Sequence, residues 1–216
     1  TLVRAGYLDH TWPYAAGSLC STVEDLAAWN QALHHGKILN EASYSEFLKA
    51  VQLNDGSATH YAKGITVTEY RGIPMISHGG GINGFLSENR YFPKEDISVV
   101  VLVNTTGPVS PHNLADHLSN WLLNPSEKSH NQFNGRLSGY LGKYKGRARG
   151  EDLTVTITQN DSTLLLQMGE GSSMPLKFHD GSDWTDGNSR YMFKGVDTSY
   201  TELRIDQTYG YYILKK

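Results

Sequence analysis

The sequence predicts an α+β fold, an antiparallel sheet with flanking helices, followed by a small all-β barrel. Three observations carry this. Up to residue 51, apolar residues recur at helical spacing between capping signals. Across 61–104 the spacing becomes strand-like, with three short turn-rich connections in a row, as in a meander. From residue 139 on, seven or so short runs crowd into about 80 residues, the texture of a small barrel or sandwich. The polar, aperiodic stretch 125–135 between these regions reads as a linker. It divides the chain near residue 130 into domains 1–128 and 129–216.

The elements follow in order. Residues 1–20 read as irregular, with Pro13 and Gly17 as breakers. Thr22 can cap a helix, with Asp25 three residues on and Val23, Leu26, Ala27 and Leu33 as its apolar stripe; Gly36 can close it. Asn40 can cap a second helix with Tyr44, Phe47, Leu48 and Val51 on one face. Strands are expected at 61–70, 73–78, 85–92 and 97–104, with Arg71-Gly72 and Pro93–Asp96 as turns and Gly79–Gly84 as a glycine-rich corner. The run from Ser98 to Val103 is apolar without alternation, which predicts a strand covered on both faces and central in its sheet. Ser110 and Pro111 open a third helix, with Leu114, Leu118, Trp121 and Leu122 on one face and an end near Asn124-Pro125. Later strands are expected at 139–145, 152–158, 163–168, 174–178, 190–194, 200–205 and 209–215, with turns at Asn160-Asp161, Asp180-Gly181 and Asp186-Gly187.

Composition narrows the function classes. The 216 residues are 38% hydrophobic and carry 19 basic against 22 acidic side chains. No basic stripe stands out, so nucleic acid is not an expected partner. The longest apolar run, Val99–Val103, is far short of the roughly 20 residues of a membrane helix. Cys20 is the single cysteine; it cannot form a disulfide within the chain and reads as a small buried residue. The opening Thr1–Tyr7 has neither an initiator Met nor signal-peptide texture, which reads as a start inside a longer parent protein. The nine histidines do not suggest a metal site. His112 and His117 are five apart, on different helical faces, and His34 and His35 sit at a helix end where an imidazolium suits the dipole. Glu24 and Asp25 read as helix-start charges, and tyrosines 140, 144, 209, 211 and 212 as core and rim.

The densest candidate for chemistry is His78-Gly79-Gly80-Gly81-Ile82-Asn83-Gly84-Phe85, with four glycines in six positions after a strand. Glycines admit a substrate close to the backbone and let main-chain N–H groups face an anion. The bland reading is a glycine-rich bend beside a surface histidine. As a string, Gly79-x-Gly81-x-x-Gly84 matches a dinucleotide fingerprint, but a strand follows it where that motif opens a helix. A lipase-type His-Gly-Gly-Gly loop needs a later Gly-x-Ser-x-Gly elbow, and Gly171-Ser172-Ser173-Met174-Pro175 fails at its last position.

A third reading fits its surroundings. Serine β-lactamases and penicillin-binding proteins carry a Lys-Thr-Gly triplet on a strand edging the active site, and many related esterases and peptidases have His-x-Gly there. His78-Gly79-Gly80 resembles that triplet. The stretch Ala16–Leu26, the segment Gly80–Phe85 and the strand Val99–Asn104 before a helix resemble the same family, in its order, over about residues 5–124. Residues 139–144, Gly-Tyr-Leu-Gly-Lys-Tyr, resemble the opening of the lipocalin-like β-domain that follows the catalytic domain in some members.

The resemblance implies an incomplete β-lactamase/transpeptidase-like fold from a serine hydrolase that forms an acyl-enzyme on an ester, amide or β-lactam. His78, Gly79, Gly80 and Gly81 would form the substrate wall, Gly81 would offer an oxyanion N–H, and Asn83 and Phe85 would be further contacts. The family's Ser-x-x-Lys and Tyr-x-Asn motifs are not in this sequence: no Lys has Ser three residues before it, and no Tyr has Asn two residues after it. The chain alone is therefore expected to be inactive, and to associate with itself or with a missing N-terminal complement. No metal or organic cofactor is implied. The substrate would be a small molecule or peptide, and a periplasmic or secreted location is a family expectation. The rival reading is a non-catalytic pseudoenzyme or a ligand-binding protein using its C-terminal β-domain.

Overall fold

The computed structural model describes residues 3–54, 59–125, 132–148, 150–187, 189–207 and 210–216. Most of the expected linker, residues 126–131, lies outside them, as does Tyr209. The chain divides into two compact units, Thr1–Lys128 and Ser129–Lys216.

In the first unit, a single turn of helix, α1 (Tyr14–Gly17), interrupts the segment expected to be irregular. Helix α2 (Val23–His34) starts where its cap dictates: Thr22 Oγ1 accepts the Asp25 N–H at 3.1 Å, and Glu24 and Asp25 face the positive end of the dipole. Gly36 follows with φ +72°, the left-handed conformation that ends helices. Helix α3 (Glu41–Leu48) is capped by Asn40, whose Oδ1 accepts the Ser43 N–H at 2.8 Å. Strands β1 (Thr66–Tyr70), β2 (Ile73–Ile82), β3 (Phe85–Phe92) and β4 (Ile97–Val103) form an antiparallel meander in the order β1-β2-β3-β4. Helix α4 (Pro111–Leu123) is capped by Ser110 and ends at Asn124 in the left-handed region.

The register sorts the side chains between two faces. Met75, Phe92, Val99 and Val101 lie on one face and pack with Ala115 of α4 into the core of this unit. The other face carries His78, Asn89, Tyr91 and Ser98 and meets α2 through Asn30 and His34.

Four expectations are corrected here. The apolar strand β4 is at the edge of the sheet, not its centre. Its lack of alternation reflects cover by α2 on one face and α4 on the other, which an edge strand can have as well as a central one. The glycine-rich corner is strand: β2 runs through Gly79, Gly80 and Gly81 to Ile82, and only Asn83-Gly84 turns, with Gly84 at φ +84°. The strand expected at 61–70 begins at Thr66, because the chain hooks back over 61–65 with the Ala62 N–H on the Ile65 carbonyl. Cys20 is exposed, since the described residues pack nothing over the segment leading into the α2 cap.

The second unit is a nine-strand antiparallel sheet. Its strands are β5 (Gly142–Ala148), β6 (Glu151–Asn160), β7 (Thr163–Met168), β8 (Met174–Pro175), β9 (Lys177–Asp180), β10 (Asp183–Thr185), β11 (Arg190–Val196), β12 (Ser199–Gln207) and β13 (Gly210–Lys215). The order is β8-β7-β6-β5-β13-β12-β11-β10-β9. The two edge strands, β8 and β9, are separated in the chain only by Leu176, whose N–H donates to the Leu164 carbonyl at 2.9 Å. A sheet whose opposite edges are one residue apart has curled into a nearly closed barrel.

The interior of this barrel is filled, with Tyr144, Trp184, Tyr191, Phe193 and Leu203 buried together. The expected strand at 139–145 begins at Gly142, because 137–140 makes a turn that drives Tyr140 inward against Trp184, Phe193 and Tyr200. The expected strand at 174–178 breaks at Leu176 into β8 and β9. The three-residue β10 went unread because it is too short to show alternation.

Candidate functional site

The site is built on a length mismatch between neighbouring strands. The last residue of β2 paired with β1 is Ser77, opposite Thr66, and the β2–β3 ladder continues beyond it through His78–Ile82. Thr66 Oγ1 donates to the Ser77 carbonyl at 2.9 Å, which shows that the main-chain polar groups of Ser77 face β1. In an antiparallel ladder this direction alternates residue by residue. Gly81 therefore aims its N–H and C=O groups past the end of β1, while those of His78 and Gly80 turn to β3. An edge that carries polar backbone but no Cβ is what a substrate can approach closely. A Cβ on Gly80 would come within 3.1 Å of Ser87 Oγ, and one on Gly81 within 2.9 Å of Leu86 Cδ2.

His78 opens this edge, with its side chain on the α2 face and exposed. Its Nε2 is 3.0 Å from the Tyr61 hydroxyl, and the two rings meet edge-on with centroids 5.8 Å apart. Tyr61 is held in place by its own backbone: its carbonyl accepts the Val51 N–H at 2.9 Å and the Thr59 hydroxyl at 3.2 Å, and it bridges to Thr66. Sequence reasoning missed Tyr61, which sits 17 residues before His78 outside any motif; only the hook at 61–65 brings it there.

The structure brings His78, Gly79, Gly80 and Gly81 onto one edge. It places Asn83 in the hairpin turn and Phe85 across it on β3, opposite Ile82 and 59% exposed, at the far tip from His78.

Beneath the edge the sheet is fixed by polar pairs. Asn89, the cross-strand partner of His78, accepts from the Asn30 amide at 2.7 Å and donates back to Asn30 Oδ1 at 3.0 Å; Asn30 also donates to Ser98 Oγ at 3.3 Å. One register step away, His34 stacks flat on Tyr91 with centroids 4.0 Å apart, and its Nδ1 is 2.7 Å from the Tyr44 hydroxyl. Burial, helped by the charge of His35, pushes the His34 imidazole down to about 4. His34 is therefore neutral at pH 7, contrary to the imidazolium expected from its helix-end position; burial outweighs the dipole. Burial and the Asp96 carboxylate push Tyr91 up to about 12.

The opposite face holds a charged cluster. Arg90, fully buried, donates from Nε to Glu88 at 2.9 Å and from Nη1 to Asp116 of α4 at 2.7 Å, with the Tyr70 ring against its guanidinium. His112 Nδ1 lies 3.0 Å from Arg90 Nη2 and 3.6 Å from Glu88 Oε1. When neutral it accepts from Arg90; when protonated it faces Glu88. The Glu88 contact raises the His112 imidazole above its ordinary value, against burial and Arg90. Burial alone would raise the Glu88 carboxyl, but His112 and Arg90 outweigh it and hold it below the usual range. Among the described residues no three His, Cys, Asp or Glu side chains converge as metal ligands, and no helix is long and apolar enough to cross a membrane.

This meander, flanked by helices on both faces and with a glycine-rich edge, has counterparts among known proteins. Residues 2–120, over half of the chain, match the Beta-lactamase family, and the chain belongs to that family. It is similar to the D-aminopeptidase of Gluconobacter oxydans (strain 621H), 25% identical over 105 residues that make up 47% of this chain and 20% of the relative. It is also similar to the D-aminopeptidase of Brucella ovis, 26% identical over 99 residues, 46% of this chain and 19% of the relative. The match thus spans about a fifth of the length of these curated relatives. Among solved structures, the octameric penicillin-binding protein homologue from Pyrococcus abyssi aligns with a TM-score of 0.43 and 17% identity, over 89% of this chain and 46% of that one. SurE with D-Leu aligns at 0.48 and 18%, over 91% and 50%.

Proposed function

We propose that this chain supplies one wall of the active site of a serine hydrolase that acts through an acyl-enzyme on a peptide-like amide with a D-residue at its amino end. The observation that carries the reading is the edge of β2 beyond Thr66, where Gly81 aims main-chain groups outward on the strand that His78 opens. The Gly81 N–H would stabilise the developing oxyanion, a contribution worth roughly 10²–10³ in rate per donor. His78 would position the acyl or carboxylate group, and Asn83 and Phe85 would border the site. The curated D-aminopeptidase relatives support the substrate class.

The nucleophilic serine and its lysine would come from outside these 216 residues, since neither motif is within them. The same reading proposes that the unpaired edge of β4 draws in either a second copy or an N-terminal complement.

The test is a titration of the ¹⁵N-labelled chain with a D-alanyl dipeptide amide, with the L-isomer as control. Amide shifts confined to 78–85 and stronger for the D-isomer are expected. Shifts confined to the barrel, or none at millimolar ligand, would overturn the assignment. The chain should also gain no mass from a fluorophosphonate probe; an adduct would place a working nucleophile within it.

A further inference from the structure

His78 can serve an acyl or carboxylate oxygen only if it presents a proton, and a neutral imidazole has just one. Where that proton sits is set by what the other ring nitrogen does. Here Nε2 is 3.0 Å from the Tyr61 hydroxyl. The partner that donates follows from chemistry: a phenol O–H is a stronger donor than a neutral imidazole N–H, and a pyridine-type nitrogen is a stronger acceptor than a phenol oxygen. Tyr61 is also anchored independently of His78, through its carbonyl to Val51 and Thr59 and through its bridge to Thr66, so the hydroxyl is delivered rather than drifting to the ring.

We propose that Tyr61 is a positioning residue for His78: its hydroxyl donates to Nε2, orients the ring and fixes the imidazole as the Nδ1–H tautomer. This rests on the reading of the His78 strand as a substrate wall. It adds a residue 17 positions upstream that the triplet motif does not contain. Neutral histidine in water ordinarily favours the Nε2–H tautomer, so the arrangement reverses the default. With Nδ1 carrying the proton, the ring's N–H donor is Nδ1–H, the kind of group an acyl or carboxylate oxygen accepts from. Without Tyr61 the same position would more often hold a lone pair, which repels such an oxygen.

The experiment is ¹⁵N NMR of the whole chain labelled at histidine, with the His78 signals assigned by their loss in His78→Gln. Pyridine-type Nε2 and pyrrole-type Nδ1 shifts are expected for His78 at pH 8, moving toward the opposite pattern in Tyr61→Phe. That variant keeps the ring and removes only the donor. A merely structural role for Tyr61 would leave the tautomer unchanged. A wild-type His78 already in the Nε2–H form overturns the proposal without recourse to any variant, and so does an Nδ1–H form that persists in Tyr61→Phe. Tyr61→Phe should also weaken the effect of the D-alanyl dipeptide amide on the Gly79 and Gly81 amides by about 2–10-fold, the range of one hydrogen bond. The tautomer is measured without ligand. Its failure is therefore distinct from failure of the wall assignment, which the dipeptide titration of the wild-type chain reads by itself.

Discussion

Asn30 of α2 and Asn89 of β3 exchange two hydrogen bonds, at 2.7 and 3.0 Å, directly across the ladder from His78. An amide pair of this kind, buried at Asn30 and half-buried at Asn89, is fully satisfied only while both members remain. It ties the helix entered at Thr22 to the strand that backs the candidate site. Asn30→Ala should destabilise the chain by about 1–3 kcal/mol, because the Asn89 amide is left in a desolvated position without its partner. Urea denaturation checks this. The Asn30→Ala/Asn89→Ala double variant should cost less than the sum of the single variants; strict additivity would show that the pair does not act as a unit.

The Arg90 cluster locks α4 to the sheet. Arg90 reaches Glu88 on its own strand and Asp116 on the helix, and its side chain has no exposed surface. Arg90→Met would leave a buried carboxylate and a half-buried one with only the His112 imidazole beside them. The expected loss is about 3–5 kcal/mol by chemical denaturation. Glu88→Gln combined with Arg90→Met should recover part of it, since the uncompensated charge is then removed. A double variant as unstable as Arg90→Met would mean the loss is one of packing.

Two histidines give the stability opposite pH dependences. His34 is lowered from 6.5 to about 4 in the folded state, so the fold binds fewer protons there than the unfolded chain does. Its contribution is complete above pH 6.5 and is lost as the pH falls from 6.5 toward 4. At roughly 1.4 kcal/mol per unit the loss is bounded by about 3.5 kcal/mol, and solvent screening of this half-buried ring brings it below that bound. His112 is raised, so its contribution is complete below pH 6.5 and is lost as the pH rises through its folded value. Denaturation midpoints should therefore fall on both sides of a maximum near neutrality. His34→Phe, which keeps the stack on Tyr91, should flatten the acid limb, and His112→Gln the alkaline one. An unchanged acid limb in His34→Phe would assign that loss to carboxylates instead.

The helices were the most legible part of the sequence because their ends are chemically marked. Thr22, Asn40 and Ser110 each cap through a side-chain oxygen, and these contacts survive folding. Strands β3 and β4 were legible from their length and turns. What could not be read was anything that depends on neighbours distant in the chain. The apolar run Ser98–Val103 reports that both faces are covered, but nothing in it reports whether its edge is paired. The glycines at 79–81 have no strand propensity, and they are held in β2 by pairing with Leu86, Ser87 and Glu88. Likewise the neutrality of His34 comes from its burial against the sheet, where it stacks on Tyr91, against a local dipole argument that pointed the other way. The glycine-rich segment that His78 opens was visible as a motif. Its Tyr61 partner was not, because it comes from a hook whose geometry is set by pairing to Val51 and Thr66.

The edge of β4 makes the last prediction. Ile97–Val103 has no charge, no proline and no bulge, so it lacks the devices by which natural edges avoid pairing. The helix beside it presents a further apolar stripe: Leu114, Leu118, Trp121 and Leu122 are all exposed, Trp121 by 79%, because α4 buries Pro111, Ala115 and Ser119 instead. The purified chain should therefore sediment above the monomer mass at micromolar concentration, and Leu102→Lys should shift it toward the monomer. Leu102 is suited to this test because it is 40% exposed on the strand, so a lysine there can reach solvent without entering the core. An antiparallel contact between two copies would also set two lysines near one another, adding repulsion to lost apolar area. If Leu102→Lys leaves the mass unchanged while Trp121→Lys lowers it, the contact runs through the α4 stripe and not the strand edge. A monodisperse wild-type monomer across that range would show that this edge does not draw in a second copy.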